Sequence, residues 1–304
     1  MRAMPASKAE DRLGDLVLVA RRHLGPFSQV FVARPAAGGA PCVVKRALPH
    51  VRGDARVHAE FEREARLLAS LTDARFPRLL GRGEQNGLPH LVLEYRPGPT
   101  VRALATAARA LPRDERWCAA VLALAHDVLG GLAALHRRRP PVVHRDVSPE
   151  NLLVSPGGRA TILDLGAAVE GRAGSDEPIG KRAYMSPEQR AGQPLDGRAD
   201  LYGLGVVLWE LLAGARPHDR FDEAGGLPSL ASVAPNTDPW TARWVSGLAA
   251  PRRDDRPPSA AAARRRVGAW LARRGLGDPR LAVAEALARA FEPDERRDWD
   301  VPTR

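Results

Sequence analysis

His144-Arg145-Asp146-Val147-Ser148-Pro149-Glu150-Asn151, followed by Asp164-Leu165-Gly166, is the stretch on which the fold turns. Asp164 lies 18 positions after Asp146, and two apolar strand-like segments, Leu152–Val154 and Thr161–Leu163, fill the interval. A carboxylate, an amide and a second carboxylate therefore sit on two short loops separated by strands. A lone loop aspartate is most often a turn or capping residue. Three groups at this spacing form a set: one acid to orient a hydroxyl, and an Asn and an Asp offering oxygen to a hard cation. Phosphoryl transfer requires that combination.

Before this stretch, Arg113 to Arg137 reads as one long helix, with Val121, Leu122, Leu124, Ala125, Val128, Leu132 and Leu135 on its buried side. Upstream of Pro97-Gly98-Pro99 the pattern is that of strands: Leu16–Val19, Val30–Val32, Cys42–Lys45, then segments near Leu79-Leu80 and at His90–Glu94. One helix, Ala59 to Leu71, interrupts them, with Phe61, Ala65 and Leu68 on one stripe and Glu64 on the same face. Downstream the chain is mainly helical. The spacing predicts a last helix over Asp278 to Phe291, with Val283, Leu287 and Phe291 at i, i+4 and i+8. The expected organisation is α+β: a flexible leader (1–12), a small β-rich lobe (13–95), a larger helical lobe (96–275), and a C-terminal helix with a loose polar tail (276–304).

Of 46 cationic residues only Lys8, Lys45 and Lys181 are lysine, and the other 43 are arginine. Such a drift marks the positions that resist it, because a guanidinium fork does not replace a compact ammonium. Lys8 falls in the leader. Lys45 closes the apolar run Cys42-Val43-Val44, and Lys181 follows Gly180.

Taken together, these motifs resemble the eukaryotic-type (Hanks-type) serine/threonine protein kinases, and especially soluble bacterial members with a His-Arg-Asp-x-Ser loop. The resemblance covers Leu13 to Gly275. It implies a two-lobed protein-kinase-like fold, ATP with Mg2+ (or Mn2+), and transfer of the γ-phosphoryl group to serine or threonine hydroxyls of protein substrates. It makes Asp146 the catalytic base and Asn151 and Asp164 the metal ligands. Lys45, paired with Glu64, would hold the α- and β-phosphates. Gly25 and Ser28 belong to the glycine-rich loop His23–Val30. Val30, Val43 and Leu153 would sandwich the adenine, Leu93 is the gatekeeper, and Leu93-Glu94-Tyr95-Arg96 is the hinge. His144 would be a packed support for the loop. Glu188 would pair with Arg256, and Asp200 would accept hydrogen bonds from the catalytic-loop backbone.

The chain departs from the family at three places. The glycine-rich loop keeps only Gly25, with His23 and Ser28 at the other glycine positions, and Pro26 removes a donor. Leu165 replaces a phenylalanine. Ser148 stands where the family has lysine, and Lys181 where it has threonine, so hydroxyl and ammonium have exchanged places. The expectation is that Lys181 reaches back to supply the cation. The segment 167–179 holds one hydroxyl, Ser175, beside Glu170, Asp176 and Glu177, which predicts weak dependence on phosphorylation there, although Arg145 would ordinarily grip such a phosphate.

Two other functions stay open. A pseudokinase that binds ATP as a scaffold is favoured by the degraded glycine loop and the missing catalytic-loop lysine, and opposed by Lys45, Glu64, Asp146, Asn151 and Asp164. A small-molecule kinase is opposed by Ser186-Pro187-Glu188. The net charge of +10 rests on scattered arginines with short runs at 137–139 and 264–266, and aromatic residues are 5% of the chain. Solvated helix faces account for this, and no specific nucleic-acid binding is expected. The longest apolar stretch, Leu204 to Ala215, contains Glu210 and is too short to span a bilayer, and Met1 to Arg12 lacks a signal-peptide core. No membrane insertion is expected. Two cysteines, Cys42 and Cys118, fit a reducing cytoplasm. Oligomeric state is not legible.

Overall fold

A computed structural model describes residues 12–171, 180–217, 227–275, 278–297 and 299. The chain divides into two compact units, one built from 12–72 and 76–97 and the other from 73–75 and the described part of 98–299.

The first unit contains β1 (Arg12–Leu13), β2 (Leu16–Leu24), β3 (Ser28–Pro35), β4 (Cys42–Ala47), α1 (Ala55–Ala69), β5 (Leu79–Gln85) and β6 (Leu88–Glu94). The strands form one antiparallel sheet in the order β1-β2-β3-β4-β6-β5. Val30 pairs with Lys45 and Lys45 with Leu91; Val32 pairs with Val43 and Val43 with Leu93. Directly opposed residues share a face, so these six side chains line one side of the sheet. On the other side Phe31, Val44 and Val92 pack with Leu13, Leu18, Ala33 and Cys42. A strand covered on both faces reads as an unbroken apolar run, as Cys42-Val43-Val44 does. Asn86 and Gly87, both at positive φ, close the β5–β6 hairpin as an Asn-Gly turn that matches the strand twist.

Helix α1 begins four residues before its apolar stripe suggests. Asp54 accepts hydrogen bonds from the Arg56 and Val57 amides, which starts the helix ahead of Phe61, Ala65 and Leu68. Those three are buried, and α1 packs on β5 and β6. Arg12, expected in the leader, instead pairs with Val17 in β1. Residues 1–11 of that leader lie outside the described residues.

The second unit contains α2 (Val101–Ala107), α3 (Glu115–His136), β7 (Val142–Val143), β8 (Leu152–Val154), β9 (Ala160–Ile162), β10 (Val169–Glu170), α4 (Pro187–Arg190), α5 (Arg198–Ala213), α6 (Leu230–Val233), α7 (Pro239–Leu248), α8 (Ala260–Arg273), α9 (Pro279–Ala290) and α10 (Pro293–Arg297). Asp114 caps α3 through the Trp117 amide. The expectation of one buried side on α3 is corrected, because α5, α8, α9 and β9 surround the helix and bury it almost all round. By length and composition α3 could cross a membrane, but 89% of its most apolar window is buried within this unit. A helix apolar all round is what a central core position requires.

Helix α9 docks on α3 through Val283, Ala286 and Leu287. Gly158, at φ 75°, lies so close beneath it that a Cβ would sit 2.1 Å from the Arg280 carbonyl oxygen. The loose tail expected from residue 292 is also corrected. The Glu295 carboxylate accepts a hydrogen bond from the Glu292 amide, and α10 forms over the next residues. Residues 300–304 lie outside the described residues.

Candidate active site

Asp146, Ser148, Asn151 and Lys181 meet in the second unit. The Asn151 side-chain amide donates to the Asp146 carbonyl (2.9 Å) and to Asp146 Oδ2 (2.6 Å). The Leu163 amide donates to the Asn151 carbonyl at 2.8 Å, tying this loop to the segment that carries Asp164. With its amide nitrogen engaged, Asn151 keeps its side-chain oxygen as a donor atom for a cation. Asp164 is exposed and held at φ 60°, with Oδ1 accepting from the Gly166 amide at 3.1 Å. Among the described residues no group of three His, Cys, Asp or Glu side chains is arranged to hold a metal ion. One amide oxygen and one carboxylate fit a hard ion that keeps waters and takes phosphate oxygens, as magnesium does.

The exchange of hydroxyl and ammonium closes in space. Lys181 Nζ lies 2.9 Å from Ser148 Oγ and 3.3 Å from Asp146 Oδ2, and the Lys181 backbone amide donates to Asp146 Oδ1 at 3.0 Å. Gly180 permits the approach: at φ 120°, a Cβ there would stand 3.0 Å from the Arg145 carbonyl oxygen and 3.3 Å from Asp146 Oδ1. Of the segment before it, residues 172–179, Ser175 included, lie outside the described residues.

Buried charges hold this loop in shape. Arg145 adopts φ 68°, a left-handed conformation that costs a long side chain about 1–3 kcal/mol. Asp200, fully buried in α5, accepts from the His144 and Arg145 amides at 2.9 Å each and from His136 Nε2 at 2.8 Å. Burial alone would raise the Asp200 pKa, but the His136 hydrogen bond and charge outweigh it and hold the carboxyl below its usual range. His144 is buried, with Nε2 at 3.1 Å from the Leu163 carbonyl and Nδ1 accepting from the Asp146 amide, so it supports the loop. Arg256 grips Glu188 with two bonds of 2.6 and 2.8 Å, and although burial opposes it, this pairing keeps the Glu188 pKa low. Gln189, locked to Ser186 in a capping box, donates to the Arg145 carbonyl at 2.7 Å. Leu165 is fully buried.

One group escaped the sequence reading. Arg102 of α2 bonds Glu150, Glu210 of α5 and the Tyr184 hydroxyl, and Tyr184 donates to Glu210 at 2.6 Å. Burial first, then the Glu210 carboxylate, raises the Tyr184 pKa far above the usual phenol range. The second Glu150 oxygen, buried without a hydrogen bond, lies 3.9 Å from Lys181 Nζ. Glu150 stood inside the quoted motif, but its hydrogen-bond partner Arg102 is 48 positions away and shares no periodicity with it.

In the first unit Lys45 Nζ donates to Glu64 Oε2 at 2.7 Å, with the two side chains 10% and 2% exposed. Val30, Val43 and Leu93 lie on the sheet face that carries Lys45. Gly25 and Ser28 form a tight hairpin in which the Gly25 amide donates to the Ser28 carbonyl at 2.8 Å, so that amide is already engaged. At the end of β6 the Glu94 amide donates to the Arg78 carbonyl at 2.9 Å, the Glu94 carboxylate pairs with Arg96, and Tyr95 is half-buried. Leu153 of β8 belongs to the second unit, paired with Thr161 and bridged to Thr100.

The profile of the protein kinase domain family matches residues 23–228. The chain is 33% identical over 218 residues to the probable serine/threonine-protein kinase pknA2 of Bifidobacterium longum, covering 67% of this chain and 28% of that protein. It is 33% identical over 241 residues to the serine/threonine-protein kinase PknL of Mycobacterium tuberculosis, covering 78% of this chain and 57% of the relative. The chain thus spans between about a quarter and three-fifths of these relatives. In fold it is similar to the crystal structure of the Mycobacterium tuberculosis PknI kinase domain, with a TM-score of 0.65 at 24% identity over 87% of this chain and 99% of the other. That family generally uses ATP and a divalent metal ion. A matched domain of this extent, an α+β fold shared with a solved kinase domain and a His-Arg-Asp loop closed around Asn151 place the chain in the protein kinase family.

Proposed function

We propose that the protein is an ATP- and magnesium-dependent protein kinase that phosphorylates serine or threonine in protein substrates. The observation that carries this reading is a hydrogen-bonded cluster in which Lys181 contacts Asp146 and Ser148, and Asn151 contacts Asp146. Asp146 orients the substrate hydroxyl and accepts its proton. Lys181 supplies, beside Asp146, the cation that Ser148 cannot, and would stabilise charge on the transferring phosphoryl oxygens. Asn151 and Asp164 hold the metal, which neutralises phosphate charge when bound. Lys45, fixed by Glu64, presents an ammonium to phosphate oxygens. Positioning and preorganised charge, with no covalent intermediate, account for the catalysis.

The pseudokinase alternative loses one of its two supports if Lys181 restores the missing cation. The buried Glu188–Arg256 pair behind Ser186-Pro187-Glu188 speaks for a protein substrate over a metabolite. The free thiols Cys42 and Cys118, both buried, suit the reducing cytoplasm we infer. Incubation with radiolabelled ATP and magnesium tests all of these. Label is expected on the chain itself or on a generic protein substrate, and none with Asp146→Asn. Label on a metabolite alone, or on nothing, refutes the reading.

A further inference from the structure

Helix α8 carries Ala262, Arg265, Arg266, Ala269 and Arg273 at i, i+3, i+4, i+7 and i+11. That stripe is about 16 Å long at 1.5 Å per residue. With Trp240 of α7 these residues line an open groove of about 520 Å³. The Trp240 ring stacks on Trp244 and Trp270, with centroids 5.8 and 5.7 Å apart, which fixes the groove wall. The three arginines are exposed, and among the described residues no carboxylate pairs with any of them. Arg274 pairs with Glu115 and Asp238 and lies over Trp270, Arg264 donates to the His126 carbonyl, and within the stripe Arg273 Nε donates to the Ala269 carbonyl at 3.2 Å. Three exposed arginines within one helical stripe concentrate positive charge on the groove, which an anionic ligand neutralises.

We propose that this groove docks an acidic segment of a protein partner, a short extended run of aspartate or glutamate. About five extended residues span 16 Å at ~3.3 Å each. The alanines leave room between the arginines, whose planar forks bind carboxylates through two hydrogen bonds each. Because Trp240 already stacks on two rings, it is poorly placed to serve as a platform for bases, which disfavours single-stranded nucleic acid. Docking here raises the local concentration of the partner without touching the catalytic loop. That the partner is a substrate rests on the kinase reading above; the docking itself does not.

Fluorescence anisotropy of a fluorescein-labelled Asp/Gly decapeptide, with the intact chain, tests the groove directly. Binding is expected to weaken as salt is added, and Arg265→Ser/Arg266→Ser/Arg273→Ser is expected to weaken it about tenfold or more. The charge-matched variant Arg66→Ser/Arg109→Ser/Arg116→Ser, altered at exposed sites elsewhere, is expected to change it less than about twofold. Equal loss in both variants, or no binding at low salt, overturns the proposal. So does tighter groove-dependent binding of a decauridylate or of phosphatidylserine vesicles. In turnover assays an Asp-rich tail on a serine peptide should lower KM at unchanged kcat, and the groove variant should erase the difference. If neither the peptides, nor a generic protein substrate, nor the chain itself is labelled, the kinase reading fails, while anisotropy still decides the groove.

Discussion

At the scale of single residues the candidate site turns on where one ammonium comes from. Lys181 sits between Asp146 and Ser148, with Glu150 3.9 Å away, and its side chain is 37% exposed. An ammonium so placed acts on charge that develops during transfer more than on binding of the nucleotide. Lys181→Ala should therefore lower kcat by about 100-fold with little change in the KM for ATP. The double variant Ser148→Lys/Lys181→Thr should regain activity that each single change loses. Steady-state kinetics with a generic protein substrate check both, and full activity of Lys181→Ala would sink the assignment. Asp146, Asn151 and Asp164 were legible as candidates in one short, chemically dense stretch, and Lys45 through the scarcity of lysine in the chain. Arg102 was not, because its bond to Glu210 joins residues 108 positions apart.

At the scale of elements, caps set what apolar patterns could only approximate. Asp54 and Asp114 start α1 and α3, whereas the apolar stripe alone put the first of these starts four residues late. The C-terminal helix was legible as a helix that would dock on the helical lobe, but the residues that seat it were not. Its seat depends on Gly158, whose backbone runs under the Arg280 carbonyl. Gly158→Ala meets both a positive φ and a contact no Cβ tolerates. It should cost at least about 2 kcal/mol, read as a lower midpoint in urea unfolding. Leu287→Ala, on the buried face of the same helix, should cost about 2–5 kcal/mol in the same measurement. Unchanged midpoints in both would mean that α9 contributes nothing to this core.

At the scale of the whole molecule, the second unit is braced by buried carboxylates whose pKa values are depressed, chiefly Glu188 and Asp200. Their ordinary values are 4.5 and 3.8. A group that binds its proton less readily when folded stabilises the fold above its unfolded pKa, and that contribution vanishes as pH falls through the folded pKa. Thermal stability should therefore be level above about pH 5 and decline steeply below pH 4.5. Glu188→Gln, which removes one titrating partner of Arg256, should flatten part of that decline while lowering stability near neutrality. Calorimetry across pH 3–8 checks this, and an equally steep acid limb in the variant contradicts it. The net charge of +10 adds a long-range attraction for anions that salt should screen.

The sequence by itself determined most of the strands, helices α1, α3 and α9, the family resemblance and the candidates Lys45, Asp146, Asn151 and Asp164. These signals are local, carried by alternation, helical spacing and a compact loop motif. Only the tertiary structure decided that Lys181 reaches Ser148, that Arg102 joins Glu150 to Glu210, and that α3 is covered on every side. It also set Trp240 beside the arginines of α8, a run that composition alone made look like an ordinary solvated face. The reason is physical: contacts between distant segments are chosen by packing and burial of charge, and no short-range periodicity encodes them.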